Sequence, residues 1–253
     1  MRQRDLMARF RKRIRGTLMA VAALAAATVA PTGSLTAGPQ LEIVNPTMNF
    51  GRVTQNKIIT TDFWIKSTGD EPLKITVLWA GCGCAEIPLP DSTVMPGDSM
   101  QMRVRFATGR YQGVVHKRPT VRTNASLEVI KLSILAEVLV EADEGWPVVL
   151  RPDVLDVSQF GEKTRRMGKF HVENRSDEDL RVVVVDSALK SFDVKIPDEV
   201  KAGETIEGRI RVDGEMLEQD FEESVTLRIE GAEPYYYTLP VVRRYRSLDR
   251  AGQ

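Results

Sequence analysis

Thiols and imidazoles are scarce in this 253-residue chain, which holds two cysteines and two histidines. Two cysteines cannot frame a disulfide-dense scaffold, and a closed zinc site wants four ligands. The histidines, His116 and His171, stand in no recognisable nucleophile or zinc motif. A Gly-rich phosphate loop is missing, and no pair of carboxylates stands out for acid–base work. Asp177, Glu178 and Asp179 read as a solvated turn. These absences argue against ordinary hydrolase chemistry, so the chain reads as a non-enzyme with no cofactor. Long helical periodicity is lacking as well. From about residue 41, short runs rich in Val, Ile, Thr and aromatics are punctuated by Gly, Pro, Asp and Asn, which is an all-β pattern.

What is present begins with a basic N-terminus. Arg2, Arg4, Arg9, Arg11, Lys12, Arg13 and Arg15 face the single acid Asp5, and an uncharged, Ala-rich stretch runs from Thr17 to Ala30. That stretch is too short to span a bilayer comfortably, and the order is that of a secretory signal. Residues 1–37 therefore read as a signal peptide or N-terminal anchor. Ala25-Ala26-Ala27 and Ala37 offer small residues for cleavage, while Pro31 disfavours a cut after Ala30. The expected location is the periplasm or cell envelope, with the membrane touched only through an uncleaved N-terminal segment. Residues 1–37 carry seven of the 35 bases and one of the 35 acids, which leaves 28 bases against 34 acids. A mildly acidic mature chain argues against a nucleic-acid partner, because phosphate binding rests on a basic surface.

The β pattern occurs twice. Strands are expected at residues 41–44, 58–67, 72–79, 99–107, 113–123 and 127–139. Phe63, Ile65 and Ser67 should share one face, and Trp64 and Lys66 the other. The run Asp62 to Ile75 aligns without gaps on Lys169 to Val182, Pro96-Gly97-Asp98 on Ala202-Gly203-Glu204, and Phe106 on Val212. A near-constant offset across a whole module points to duplication. Each copy has the length and strand number of an immunoglobulin-like sandwich. The reading is residues 38–142 for the first domain and 143–253 for the second, with a short C-terminal tail. Tyr235-Tyr236-Tyr237 should alternate in and out of a final strand, exposing at least one ring. Arg243, Arg244 and Arg246 read as part of a solvated tail.

Both cysteines fall in Cys82-Gly83-Cys84. A disulfide across one residue closes the smallest of loops, so it restricts the unfolded chain little and is a poor structural staple. The aligned segment Asp186 to Ser191 has no cysteine, so the fold does not need the pair. Four readings stay open: an oxidised or redox-labile pair without a catalytic role, thiol exchange, soft-metal binding, and two reduced, buried thiols. Thiolate and thioether ligands favour Cu(I), and Met100, Met102 and His116 are the candidates to join Cys82 and Cys84. Met100 and Met102, however, alternate with Gln101 on an expected strand, so they read as core residues. No Lys or Arg lies within five residues of either cysteine, and Glu86 would disfavour a thiolate.

Phe50-Gly51-Arg52-Val53, Phe63 through Ser67-Thr68-Gly69, Leu73-Lys74-Ile75, Cys82-Gly83-Cys84, Met95-Pro96-Gly97-Asp98, Phe106, Gly113 and Thr123-Asn124 stand in order. Over residues 41–139 this set resembles the domain of unknown function family 1573, exported bacterial proteins related to the Hydin-like (ASH) immunoglobulin-like modules. The second copy resembles only the general Hydin-like pattern. Where the family favours Asn-Thr-Gly at one turn, this chain has Ser67-Thr68-Gly69, and Ala85 replaces a favoured Thr. The resemblance implies a sandwich fold and export, and no established reaction. The functional expectation is an envelope interaction or scaffolding protein whose partner is another envelope protein. The alternative is a periplasmic thiol-redox or Cu(I)-handling protein that uses Cys82 and Cys84.

Overall fold

The computed structural model describes residues 38–185, 191–231 and 233–246. The expected signal segment lies outside the described residues, as does most of the stretch aligned with the cysteines. The first strands are Leu41–Val44 (β1), Thr47–Thr54 (β2), Ile58–Ser67 (β3) and Leu73–Trp79 (β4). Ala85–Glu86 (β5), Thr93–Val94 (β6) and Ser99–Ala107 (β7) follow, then Gly113–Lys117 (β8), Thr120–Thr123 (β9), Ser126–Lys131 (β10) and Ser133–Leu139 (β11). One sheet has the order β1-β3-β7-β5 and a second the order β10-β9-β4-β6, while β2, β11 and β8 belong to a third.

The alternation in β3 is the one read from sequence. Phe63, Ile65 and Ser67 are buried, with Trp64 and Lys66 half-buried on the other face. Its antiparallel pairing with β7 sets Phe63 opposite Met102 and Ile65 opposite Met100. Phe50, Phe63, Ile65, Leu73, Met102 and Phe106 fill the core between the sheets.

Two expected strands are each divided. The run 113–123 breaks between β8 and β9, where Pro119 has no N–H for a ladder and the chain changes sheet. The run 127–139 breaks at buried Leu132, whose N–H bonds to the Pro119 carbonyl at 2.8 Å. The two crossovers thus satisfy each other's backbone. Strand β2 was not expected, because Pro46, Asn49 and Gly51 look like turn punctuation. It runs parallel to β11, and the register skips Phe50 between Asn49 and Gly51. A bulge there explains the turn-like residues.

A 3₁₀ turn at Ala142–Glu144 leads into the remaining strands. They are Val148–Arg151 (β12), Leu155–Asp156 (β13), Gln159–Phe160 (β14), Met167–Asn174 (β15) and Leu180–Val185 (β16). Phe192–Lys195 (β17), Glu199–Val200 (β18) and Thr205–Val212 (β19) precede Phe221–Glu230 (β20), Tyr235–Arg243 (β21) and Tyr245–Arg246 (β22). Strand β15 sits between β12 and β19, as β3 sits between β1 and β7. The aligned pairs Phe63 and Phe170, and Ile65 and Val172, are all wholly buried. The protein is all-β, with two immunoglobulin-like sandwiches, each around its own apolar core.

The two sandwiches share a sheet, whose order is β18-β16-β20-β21-β2-β11-β8. The joint is the parallel contact of Arg52 with Tyr237. Gly51, at φ +61°, makes the approach feasible: a Cβ there would lie 2.0 Å from the Tyr236 carbonyl oxygen. The Thr238 hydroxyl donates to the Phe50 carbonyl at 2.6 Å, and the Thr60 N–H donates to Ser224 Oγ at 3.0 Å. Arg103 bridges Asp62 and buried Glu223 at 3.0 and 2.9 Å. Asp62, foremost, holds the Arg103 guanidinium above its ordinary range.

The joint also corrects the C-terminal readings. None of the three tyrosine rings is exposed: Tyr235 and Tyr236 are half-buried and Tyr237 is buried. Arg52 lies 4.9 Å from the Tyr235 ring centroid and 5.6 Å from that of Tyr237. Nor do the arginines form a solvated tail. Arg243 is wholly buried, donating to the carbonyls of Val157, Arg165 and Leu217 and to Gln159 Oε1. Arg244 is half-buried and pairs with Glu222, and only Arg246 is exposed, beside Asp220. Sequence position suggested an end; β21 is in fact a central strand of the shared sheet.

Candidate functional site

Strand β4 delivers the cysteines. After exposed Trp79 the chain turns at Gly81, whose φ of +89° favours glycine and whose backbone lies against the Arg118 carbonyl. Cys82 and Cys84 are joined by a disulfide, with Cα atoms 5.2 Å apart. Both are half-buried, with one side packed on the first core. Short strand β5 then ties the segment to β7, with Ala85 opposite Phe106. The Ala107 N–H donates to the Cys84 carbonyl at 2.8 Å. Gly83 forms the exposed crest, and a Cβ added there would meet nothing within 4 Å.

The segment between β7 and β8 supplies a neighbour that sequence separation concealed. Buried Thr108 accepts from the Lys57 N–H and donates to the Thr54 carbonyl, which fixes the start of the loop. The Tyr111 N–H donates back to the Thr108 carbonyl, and the Tyr111 ring stacks on Phe106 at 6.3 Å. Its hydroxyl then points to Cys84 Sγ, donating across 3.5 Å, a length suited to sulfur's large radius. Lys117, at the end of β8, donates to the Tyr111 oxygen at 3.0 Å, with Nζ 4.3 Å from the ring centroid. Ammonium, phenol and sulfur therefore form one donor chain.

The local electrostatics differ from those inferred along the sequence. A cation does serve the sulfur, through a residue 27 positions from Cys84. The Glu86 carboxylate, expected to oppose a thiolate, is engaged by Arg105 at 3.0 Å. Arg105 also holds Glu222 at 2.6 Å, so this chain of charges runs on to Arg244 in the second sandwich. Nothing in the spacing of Tyr111 or Lys117 marks them as partners of the cysteines. The available hint was the turn-forming Thr108-Gly109 before an aromatic.

The remaining candidates are placed separately. Met102 is wholly buried and Met100 packs partly buried on the same core, both facing inward from β7. His116 is exposed on β8, with Nε2 3.3 Å from Ser133 Oγ. Among the described residues, no group of three or more His, Cys, Asp or Glu side chains is arranged to hold a metal ion.

A second exposed feature lies on the outer face of the sheet β10-β9-β4-β6. Val77 is 46% and Trp79 58% exposed. Arg122 stands opposite Val77, and Thr120 is flanked by Trp79 and Lys131. Lys74, Arg122 and Lys131 are all exposed, and no ion pair among the described residues includes them.

Residues 41–138 match the model of a family described as protein of unknown function DUF1573, so the resemblance read from the ordered motifs is shown for the first domain. No curated protein matches the sequence. Among solved structures, a protein of unknown function from Porphyromonas gingivalis W83 aligns at 10% identity and a TM-score of 0.35, covering 80% of this chain and 99% of its own. The ASH/PapD-like domain 7 of human CEP192 aligns at 10% identity and a TM-score of 0.32, covering 49% of this chain and 98% of its own.

Proposed function

We propose that this is an exported interaction module of the cell envelope that binds an acidic segment of another envelope protein. One observation carries the reading: Trp79 and Val77 face water on the outer side of β4, among the cations Lys74, Arg122 and Lys131, which no ion pair among the described residues includes. A large exposed aromatic with a cationic surround is the composition of an interaction hot spot. The cations also stand out against a mature chain that carries more acids than bases. Complementary charge would steer an acidic partner and fix its register. The shared sheet supports a scaffolding role, since it holds both sandwiches in one arrangement while partners bind.

The test is a photo-crosslinking amino acid at exposed Glu128 of β10, in full-length protein expressed in its own envelope. A discrete covalent adduct is expected, lost on Arg122→Glu and on Trp79→Ser. Absence of any adduct, or an adduct indifferent to both changes, would overturn the proposal.

A further inference from the structure

The donor chain beside the cysteines carries an inference independent of the binding role. We infer that Cys82–Cys84 is a reactive disulfide that accepts electrons from a dithiol, with Cys82 as the sulfur attacked and Cys84 as the leaving sulfur. The substrate class is a dithiol.

The assignment follows from asymmetry. Among the described residues, Cys84 Sγ alone receives the Tyr111 O–H, and the Lys117 ammonium donates to the Tyr111 oxygen. When the disulfide breaks, one sulfur must take the electron pair. Exchange runs faster through the sulfur better able to carry negative charge. A hydrogen bond from a phenol backed by a cation favours the charged form of the sulfur it reaches. Cys84 meets that description, whereas Cys82 has no such donor among the described residues. Cys82 is half-buried, and the adjoining Gly83 is exposed with nothing within 4 Å of a Cβ placed there. Glu86, the nearest acid in sequence, has its charge taken up by Arg105.

The chemistry balances without another reagent. A substrate thiolate attacks Cys82 Sγ, forming a substrate–Cys82 disulfide and breaking the bond to Cys84. The electron pair goes to Cys84 Sγ, where Tyr111 holds it. The substrate's second thiolate then attacks its own sulfur in the mixed disulfide, and Cys82 leaves as a thiolate. The substrate loses two electrons and two protons to become a disulfide. The cysteine pair gains both electrons, and each sulfur takes up one proton. Lys117 acts through Tyr111 as a positioning residue, and the sulfurs are the reacting atoms.

The experiment uses the oxidised full-length chain and two probes, glutathione as a monothiol and dithiothreitol as a dithiol. With glutathione, the reaction is stopped by acid at low conversion, and fragmentation mass spectrometry locates the adduct on Cys82 or Cys84. The adduct is expected on Cys82. With dithiothreitol, Tyr111→Phe keeps the ring stacked on Phe106 and is expected to slow reduction about tenfold, as loss of one hydrogen bond to a charged group implies. Lys117→Met is expected to slow it about threefold to tenfold, and Lys117→Arg to restore the rate. Glutathione found mainly on Cys84, or Tyr111→Phe reacting within twofold of the natural protein, would overturn the assignment. Neither readout depends on the Trp79 face, so it stands or falls apart from the binding proposal.

Discussion

The duplicated turn offers a stability experiment with its own internal control. In the second sandwich Asn174 is 1% exposed, and its amide Nδ2 lies 2.7, 3.1 and 3.2 Å from the carbonyls of Glu178, Lys201 and Val200. Its Oδ1 accepts from the Ser176 N–H at 2.9 Å and the Ser176 hydroxyl at 2.7 Å. The aligned Ser67 is 2% exposed, and its Oγ has no hydrogen-bond partner among the described residues. The backbone frames agree: the Ser67 N–H donates to Asp98 at 3.0 Å, and the Asn174 N–H to Glu204 at 2.8 Å. An amide has two N–H donors, so Asn174 makes about two net donated bonds and accepts two more, at about 1 kcal/mol each. Asn174→Ser should therefore cost about 2–4 kcal/mol. Ser67→Asn should gain about 1–2 kcal/mol, because new bonds to the turn carbonyls outweigh the volume added. For a protein of this size that gain raises Tm by roughly 2–8 °C. Urea denaturation and calorimetry on both variants measure the pair. An unchanged or lowered midpoint for Ser67→Asn, with Asn174→Ser destabilised, would refute the equivalence of the two turns.

Other expected outcomes concern the joint between the sandwiches. Gly51→Ala places a Cβ into the Tyr236 backbone at a positive φ, so a loss of about 3 kcal/mol or more is expected, with faster proteolysis near Glu141–Trp146 as the readout. Arg103→Ala leaves the Asp62 and Glu223 carboxylates without their cation, their side chains 5% and 4% exposed. Its cost is expected at about 3–5 kcal/mol, while the double change with Asp62→Asn should recover part of it in urea titration. Burial raises the Glu222 carboxyl, but Arg244 and Arg105 outweigh it, so the group sits below the ordinary glutamate range. Its stabilising contribution is full above the unfolded value and is lost as pH falls through the depressed folded value. Glu222→Gln should consequently be less stable than the natural protein at about pH 7, and the gap should close towards about pH 3. A gap independent of pH would refute that assignment.

Strand alternation, turn residues and the near-constant offset between copies were enough for the all-β class and the duplication, because each is a local periodic property of the chain. The same reasoning placed Phe63, Ile65 and Met102 toward a core. It failed at β2, where a bulge that lets two sandwiches meet looks like a loop when read along the chain. It failed again at Tyr235–Tyr237 and Arg243, whose nearness to the C-terminus hid a central strand. The Cys-Gly-Cys pair, its poor value as a staple and its absence from the second copy were legible from the residues alone. Which sulfur carries a hydrogen-bond donor was not. Tyr111 reaches Cys84 because Thr108 anchors one loop and Phe106 supports the ring, and Lys117 arrives from a different sheet. The sequence by itself determined which groups can react, because that is fixed by residue type. Only the tertiary structure decided which of the two sulfurs has help, since hydrogen bonding and charge act through space, over distances that strand pairing sets.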